Sequence, residues 1–188
     1  MFWNLPNKLT ASRIVLIPIF VAAAWLPAPW GPLLSAALFG LAALTDWADG
    51  YLARSRKEFT AFGRFLDPVA DKLLVISALV LLVDRGYAPG LLVLVIIARE
   101  ILVMALREFL ATGGGVPVSR SGKWKTAFQM TAIVLLLLQD SLFGLPLGDA
   151  GLVCLVVAVV LTLWSAYGYV RSAMPRVLAA GGGGEGAG

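Results

Sequence analysis

The chain has 188 residues, of which 60% are hydrophobic and 14% are charged, and its formal net charge is +4. A soluble domain carries about a quarter charged residues, so the composition excludes an ordinary water-soluble surface, and it also excludes disordered, collagenous and coiled-coil chains. The absence of histidine excludes imidazole bases and histidine-ligated metals, and the single cysteine, Cys154, excludes an intrachain disulfide.

Long apolar runs predict six membrane-spanning helices, because a span needs about 20 residues at a rise of about 1.5 Å each. The predicted spans are, in chain order, Leu9–Leu26, Gly31–Ala53, Phe65–Val83, Ala88–Leu110, Lys125–Gln139 and Leu147–Val170. Turn-forming residues separate several of them, at 27–29, 84–86, 112–117 and 144–148. We therefore predict an all-α, polytopic membrane domain at 1–178, followed by a flexible glycine-rich tail at 179–188.

The basic residues predict the orientation of these spans, because cytoplasmic connections are enriched in Lys and Arg. An even number of spans puts both termini on one side, which carries 14 of the 15 basic residues when Arg99 and Lys72 are assigned to it. Arg85 alone falls on the other side. We expect a protein of a bacterial-type cytoplasmic (inner) membrane, with both termini cytoplasmic and no nucleic-acid partner. A signal peptide that ends near Ala24 is the alternative interpretation of the first span.

Four aspartates lie within 26 residues around the connection between the second and third spans. At 100° per residue, Asp46 and Asp49 share a helical stripe with two small residues, and Asp67 and Asp71 share another at a spacing of four. An antiparallel helix pair could bring the four together in a polar cavity open to the cytoplasmic side. Carboxylates at close quarters repel unless cations compensate them, which favours bound Mg²⁺. The alternative is a set of interfacial carboxylates paired with neighbouring Arg and Lys residues.

This segment reads Asp46-x2-Asp49-Gly50-x2-Ala53-Arg54-x8-Gly63-x3-Asp67-x3-Asp71 and resembles the CDP-alcohol phosphatidyltransferase signature at every fixed position. The resemblance implies six transmembrane helices, usually in a homodimer, and a pair of Mg²⁺ or Mn²⁺ ions held by Asp46, Asp49 and Asp67 with Asp71 adjoining. It further implies that Asp71 is the base that deprotonates the acceptor alcohol. The residues implied to bind the donor, CDP-diacylglycerol, are Asn7, Thr10, Gly50, Ala53, Arg54, Thr60 and Gly63.

Three further segments bear on the acceptor alcohol, at 4–13, 99–109 and 118–126. They are similar to the branch of that family whose acceptor is sn-glycerol 3-phosphate, which implies a pocket for the acceptor phosphate. The residues expected to bind this phosphate are Arg99, Arg107, Arg120, Lys123 and Lys125. For the basic connection, the alternative is ordinary enrichment of positive charge at the cytoplasmic surface. For Arg99 and Glu100, the alternative is a structural ion pair with Arg107 or Lys72.

Other functions stay open at this point. The same family includes enzymes with other acceptors, such as inositol phosphate, serine or phosphatidylglycerol. A transporter or channel would also place carboxylates in the membrane, but on discontinuous helices near its midplane. A purely structural membrane protein would gain nothing from four gathered acids.

Overall fold

The computed structural model describes the backbone of residues 5–56, 61–111, 121–141 and 145–182. Side chains are described at 11–45, 69–106, 124–141, 145–171 and 174. Within these ranges the chain is all-helical and contains no strand. Its six helices are α1 (Leu5–Ala24), α2 (Trp30–Arg56), α3 (Ala61–Asp84), α4 (Gly90–Ala111), α5 (Ser121–Leu138) and α6 (Leu147–Gly182).

Each helix overlaps one predicted span, so the all-α prediction is confirmed for the described residues. The bounds differ at several places. Helices α1, α3 and α5 each begin four residues before the predicted start. Helix α6 continues to Gly182, 12 residues past the predicted end of the span and four residues into the segment predicted as a tail. The remaining tail residues, 183–188, lie outside the described part of the chain.

One helical segment, Leu147–Arg171, is long and apolar enough by length and composition to cross a bilayer, among the residues whose side chains are described. Three shorter apolar segments lie at Ala11–Ala24, Trp30–Thr45 and Trp124–Leu138. The six-span topology therefore stays a prediction. Side chains exposed on the protein include Leu91, Trp164 and Tyr167, each more than 60% accessible, as a lipid-facing surface would require.

The chain divides into two compact units. The first comprises Met1–Pro89 and Ala132–Leu152, and the second comprises Gly90–Thr131 and Val153–Gly188. In the first unit α1 packs against both α2 and α3, and α2 also contacts α3. The rings of Phe20 on α1 and Phe39 on α2 are fully buried and lie 6.1 Å apart, centroid to centroid. Helix α1 thus supports the two helices that carry the acidic signature.

The end of α3 is closed by a glycine in the left-handed region. Gly86 has a φ of +72°, its N–H donates to the Val83 carbonyl, and the Tyr87 N–H donates to the Leu82 carbonyl. This is the Schellman arrangement, in which a residue without Cβ turns the chain out of the helix. The predicted break at 84–86 is therefore confirmed.

Arg85, in the same turn, contacts the end of α1. Its guanidinium donates to the Ala24 carbonyl and lies 4.9 Å from the centre of the Trp25 ring. The last carbonyls of a helix have no partner within that helix and carry partial negative charge, so a cation there is favourable. Arg85 therefore ties the α3–α4 turn to the end of α1.

The second unit contains both buried apolar and buried polar residues. The apolar residues include Val93, Ile96 and Val103 of α4 and Leu155 and Ala158 of α6. Six polar or charged residues of α4, α5 and α6 are also buried, namely Arg99, Glu100, Lys125, Gln129, Thr162 and Ser165. Ionised side chains are rarely buried unless they are paired, so this cluster needs a chemical explanation.

Candidate active site

The acidic signature lies on two uninterrupted helices. Asp46 and Asp49 both fall within α2, three residues apart, and Asp67 and Asp71 both fall within α3, four residues apart. Residues at these spacings share one helix face, so each helix carries a carboxylate pair as the sequence predicts. The side chains of Asp46, Asp49 and Asp67 lie outside the described residues.

The two pairs also lie at matching distances from the connection at 57–60. Asp49 lies seven residues before the end of α2 and Asp67 six residues after the start of α3, which is about 10 and 9 Å along the two axes. Asp46 and Asp71 each lie ten residues from those ends, at about 15 Å. A short connection favours antiparallel neighbours, which would set Asp49 level with Asp67 and Asp46 level with Asp71. Convergence of all four side chains stays a prediction.

Asp71 is the one member of this set whose side chain is described. It is 32% exposed, and its Oδ2 lies 3.7 Å from the Lys72 Nζ. A pair this exposed contributes little to stability. The partly open position suits a base, because such a group must reach the proton that it removes.

The donor chemistry of the four residues fits a divalent cation. All four offer carboxylate oxygens, which Mg²⁺ and Mn²⁺ prefer, and they come as two pairs on two helices that contact each other. Among the described side chains no three potential metal ligands come together, and Asp71 is the only member of the four in that part of the chain. Asp46, Asp49, Asp67 and Asp71 are the residues that would hold the ions.

The residues expected to bind the donor lie at the ends of the first three helices. Asn7 and Thr10 belong to the first turns of α1, and Gly63 belongs to the first turn of α3. Gly50, Ala53 and Arg54 belong to the last two turns of α2. The side chains of these residues lie outside the described part of the structure, and Thr60 lies outside it entirely.

Two of the five residues expected to bind the acceptor phosphate meet at one carboxylate in the second unit. The Arg99 Nη1 donates to the Glu100 Oε1 at 2.9 Å, and the Lys125 Nζ donates to the same oxygen. The side chains of Arg99, Glu100 and Lys125 are 8%, 7% and 9% exposed. One carboxylate shared by two cations gives these three side chains a formal net charge of +1.

Arg99 is fixed on a second side by α6. Its Nη2 donates to the Ser165 Oγ at 3.0 Å. Its Nε is buried and has no hydrogen-bond partner among the described residues, and the same holds for the Thr162 Oγ1, one turn before Ser165 on α6. Buried polar atoms are usually satisfied, so a polar ligand or water beside either of these atoms would be accommodated.

The structural alternative, an ion pair of Arg99 and Glu100 with Arg107 or Lys72, stays a prediction. The described contacts run between Arg99 and Glu100 themselves, to Lys125 and to Ser165. Arg107 and Lys123 lie on α4 and α5, but their side chains are outside the described residues, as is Arg120 as a whole.

Sequence reasoning missed one further buried residue, Ser165, which lies in an apolar helix without any motif to mark it. Arg13, the last residue of the segment 4–13 that the sequence associates with the acceptor, is 2% exposed on α1, the helix that packs against α2 and α3. An arginine beside an apolar run is rarely buried without a role.

Comparisons with known proteins agree with the signature. A family model described as CDP-alcohol phosphatidyltransferase matches residues 3–164. A relative from Escherichia coli (strain K12), named CDP-diacylglycerol–glycerol-3-phosphate 3-phosphatidyltransferase, is 44% identical over 183 residues, which cover 95% of this chain and 99% of the relative. Proteins of the same name are 47% identical in Sodalis glossinidius, over 90% of this chain and 94% of the relative, and 42% identical in Haemophilus influenzae, over 95% and 97%.

Proposed function

The chain belongs to the CDP-alcohol phosphatidyltransferase family, and we propose that it transfers the phosphatidyl group of CDP-diacylglycerol to sn-glycerol 3-phosphate. The products are phosphatidylglycerophosphate and CMP, and the pathway served is the synthesis of anionic phospholipid. The observation that carries the proposal is the complete acidic signature on two consecutive helices, in a chain that shares 42–47% identity with relatives named for this reaction.

The proposed chemistry is a displacement at phosphorus. A hydroxyl oxygen of glycerol 3-phosphate attacks the phosphorus that carries diacylglycerol, and the bond from this phosphorus to the bridging oxygen of the pyrophosphate breaks. That oxygen leaves with CMP, and Asp71 accepts the proton of the hydroxyl. A carboxylate is the suitable base, because the chain contains no histidine.

The donor pyrophosphate is anionic, so the residues around it must compensate its charge. Arg54 would neutralise part of this charge, while Gly50 and Ala53 would admit the nucleotide where larger side chains would block it. The divalent ions implied for Asp46, Asp49, Asp67 and Asp71 supply electrostatic stabilisation of the charge that develops on the transferred phosphoryl group.

The acceptor carries its own phosphate, which requires a second set of cations. Arg99, Arg107, Arg120, Lys123 and Lys125 are the proposed set. The net positive charge of the buried group at Arg99, Glu100 and Lys125 supports this assignment, since an anion would be attracted to it. Serine has no phosphate, so an enzyme for that acceptor would have no use for such a group.

We further propose that the six helices span the inner membrane, with both termini and the polar cavity on the cytoplasmic side, and that the protein forms a homodimer. The distribution of basic residues supports the orientation. Helices of 18 to 36 residues are long enough, or nearly so, to cross about 30 Å of hydrocarbon.

Release of CMP tests the proposal. Purified protein in detergent or vesicles, supplied with CDP-diacylglycerol and Mg²⁺, should release CMP when glycerol 3-phosphate is added. Serine, inositol phosphate and phosphatidylglycerol, each added separately, should release little. CMP release with one of those acceptors and none with glycerol 3-phosphate would assign the chain to another branch of the family.

A further inference from the structure

The polar cluster of the second unit contains a residue that the proposed reaction does not yet use. Glu100 lies next to Arg99 on α4, is 7% exposed, and accepts hydrogen bonds from both Arg99 and Lys125. As an anion it cannot bind the acceptor phosphate directly. Its burial between two residues proposed for that role calls for a different function.

We infer that Glu100 is a positioning residue, which holds Arg99 and Lys125 in place for the acceptor phosphate, with Ser165 fixing Arg99 from α6. The inference rests on the proposed function, because it takes glycerol 3-phosphate as the acceptor. Glu100 and Ser165 touch the cations and not the substrate, so both act through Arg99 or Lys125.

Counting donors supports this role. An arginine side chain has five N–H donors. The described bonds use one donor of Arg99 for Glu100 and one for Ser165. The Arg99 Nε stays buried and without a partner among the described residues. Arg99 can therefore bind an anion without leaving Glu100.

Charge supports it as well. Arg99 and Lys125 would repel each other in a buried site without a carboxylate between them. Glu100 offsets that repulsion, and the three side chains still have a formal net charge of +1, which attracts a phosphate. The carboxylate thus makes it possible to hold two cations close together before the acceptor arrives, which is preorganisation of the binding site.

The experiment compares kinetic constants of Glu100→Gln and Glu100→Asp with those of the unmodified protein. Glu100→Gln should raise the KM for glycerol 3-phosphate by about tenfold or more and leave the KM for CDP-diacylglycerol within about twofold, since only acceptor binding is disturbed. Glu100→Asp keeps the charge and should recover part of the acceptor affinity. A KM for glycerol 3-phosphate that is unchanged or lowered in Glu100→Gln would overturn the inference, as would an equal rise in both KM values.

A second variant keeps the test valid if Glu100→Gln does not fold. Ser165→Ala removes one hydrogen bond to Arg99 and should raise the KM for glycerol 3-phosphate alone, by about threefold to tenfold. The matched control is Ser35→Ala, since Ser35 is buried but bonds only to carbonyls of its own helix, Gly31 at 2.7 Å and Pro32 at 3.1 Å. Identical kinetics for the two serine variants would contradict the inference.

The proposed function and the positioning role of Glu100 are contradicted by different results. If the unmodified protein releases no CMP with glycerol 3-phosphate, the proposed function is wrong and the inference falls with it. If the unmodified protein is active and the Glu100 and Ser165 variants show no selective change in acceptor KM, the inference alone is wrong.

Discussion

Lys125 on α5 and Glu100 on α4 form an ion pair in which both side chains are less than a tenth exposed. The carboxylate oxygen that Lys125 contacts also accepts a hydrogen bond from Arg99. The segments around Glu100 and Lys125 are 25 residues apart, and the sequence associates both with the acceptor phosphate. They therefore meet at a single atom, the Glu100 Oε1.

Replacing Lys125 by methionine should lower the free energy of unfolding by about 2 kcal/mol, because a buried hydrogen bond between charged groups is lost. Glu100 keeps Arg99 as a partner, so the loss should be smaller than for a carboxylate left alone. Thermal unfolding in detergent, monitored by circular dichroism, measures this loss of stability. Trp124→Met at the neighbouring exposed position is the control and should change stability far less. Equal stability of the two variants would show that the pair is not structural.

Asp71→Asn should keep donor binding and reduce turnover by a factor of about 10² to 10⁴, the usual contribution of a general base. CMP release gives the rate, and equilibrium binding of CDP-diacylglycerol gives the affinity. Asp84→Asn is the matched control, since Asp84 is an exposed aspartate at the other end of the same helix. Near-normal turnover of Asp71→Asn would remove Asp71 from the role of base.

Removal of divalent cations should abolish turnover. Exhaustive treatment with EDTA is expected to stop CMP release, and Mg²⁺ or Mn²⁺ should restore it, because the four carboxylates need cations to bind an anionic donor. Asp67→Asn should raise the concentration of Mg²⁺ required for half-maximal rate. Full activity after chelation would refute a metal-dependent mechanism.

The Tyr87 hydroxyl donates a hydrogen bond to Asp140, outside the predicted spans. Burial raises the pKa of Tyr87 above its usual value, and the hydrogen bond and negative charge of Asp140 raise it further, although Arg85 acts in the opposite direction. A raised pKa means that this contribution to stability is complete below about pH 10, the unfolded value, and is lost as the pH rises through the folded value.

The thermal midpoint of the unmodified protein should consequently fall more steeply above about pH 10 than that of Tyr87→Phe, which has no hydroxyl to ionise. Below that pH the difference between the two midpoints should be constant. Parallel curves across the whole alkaline range would show that the hydroxyl does not contribute through this ionisation.

The proposed topology can be tested by chemical labelling, since Cys154 is the only native cysteine. In a Cys154→Ser background, Pro89→Cys in the exposed turn before α4 should react with a membrane-impermeant maleimide from outside the cell. Met174→Cys, exposed on α6 beyond Arg171, should react only after the membrane is opened. The reverse pattern would invert the orientation, and labelling of both from outside would contradict the three spans predicted between them.

Much of the fold could be predicted because it depends on local patterns. Apolar runs indicated all six helices, and the turn chemistry around Gly86 located the end of α3 to within a residue or two. Helix ends without such turn-forming residues were predicted less well. Helix α6 continues past Val170 because neither Gly168 nor Pro175 stops it, and a long helix can accommodate both.

The candidate site could be predicted only in part, because local patterns in the sequence do not specify contacts between distant segments. The acidic signature is a local spacing, so the pairing of Asp67 with Asp71 on one helix face followed from the sequence. The bond between Arg99 and Ser165 joins residues 66 apart, and no periodicity of either segment specifies it. The shared use of Glu100 likewise depends on how α4 and α5 pack, which only the structure describes.

The identity of the acceptor and of the lipid product distinguishes the proposed reaction from those of other branches of the family. Both are identified by incubating the purified protein in vesicles with CDP-diacylglycerol, Mg²⁺ and isotopically labelled glycerol 3-phosphate, and by determining the mass of the lipid product. We expect labelled phosphatidylglycerophosphate and CMP in equal amounts. Release of CMP without labelled lipid, or formation of labelled lipid only from another acceptor, would contradict the proposed reaction.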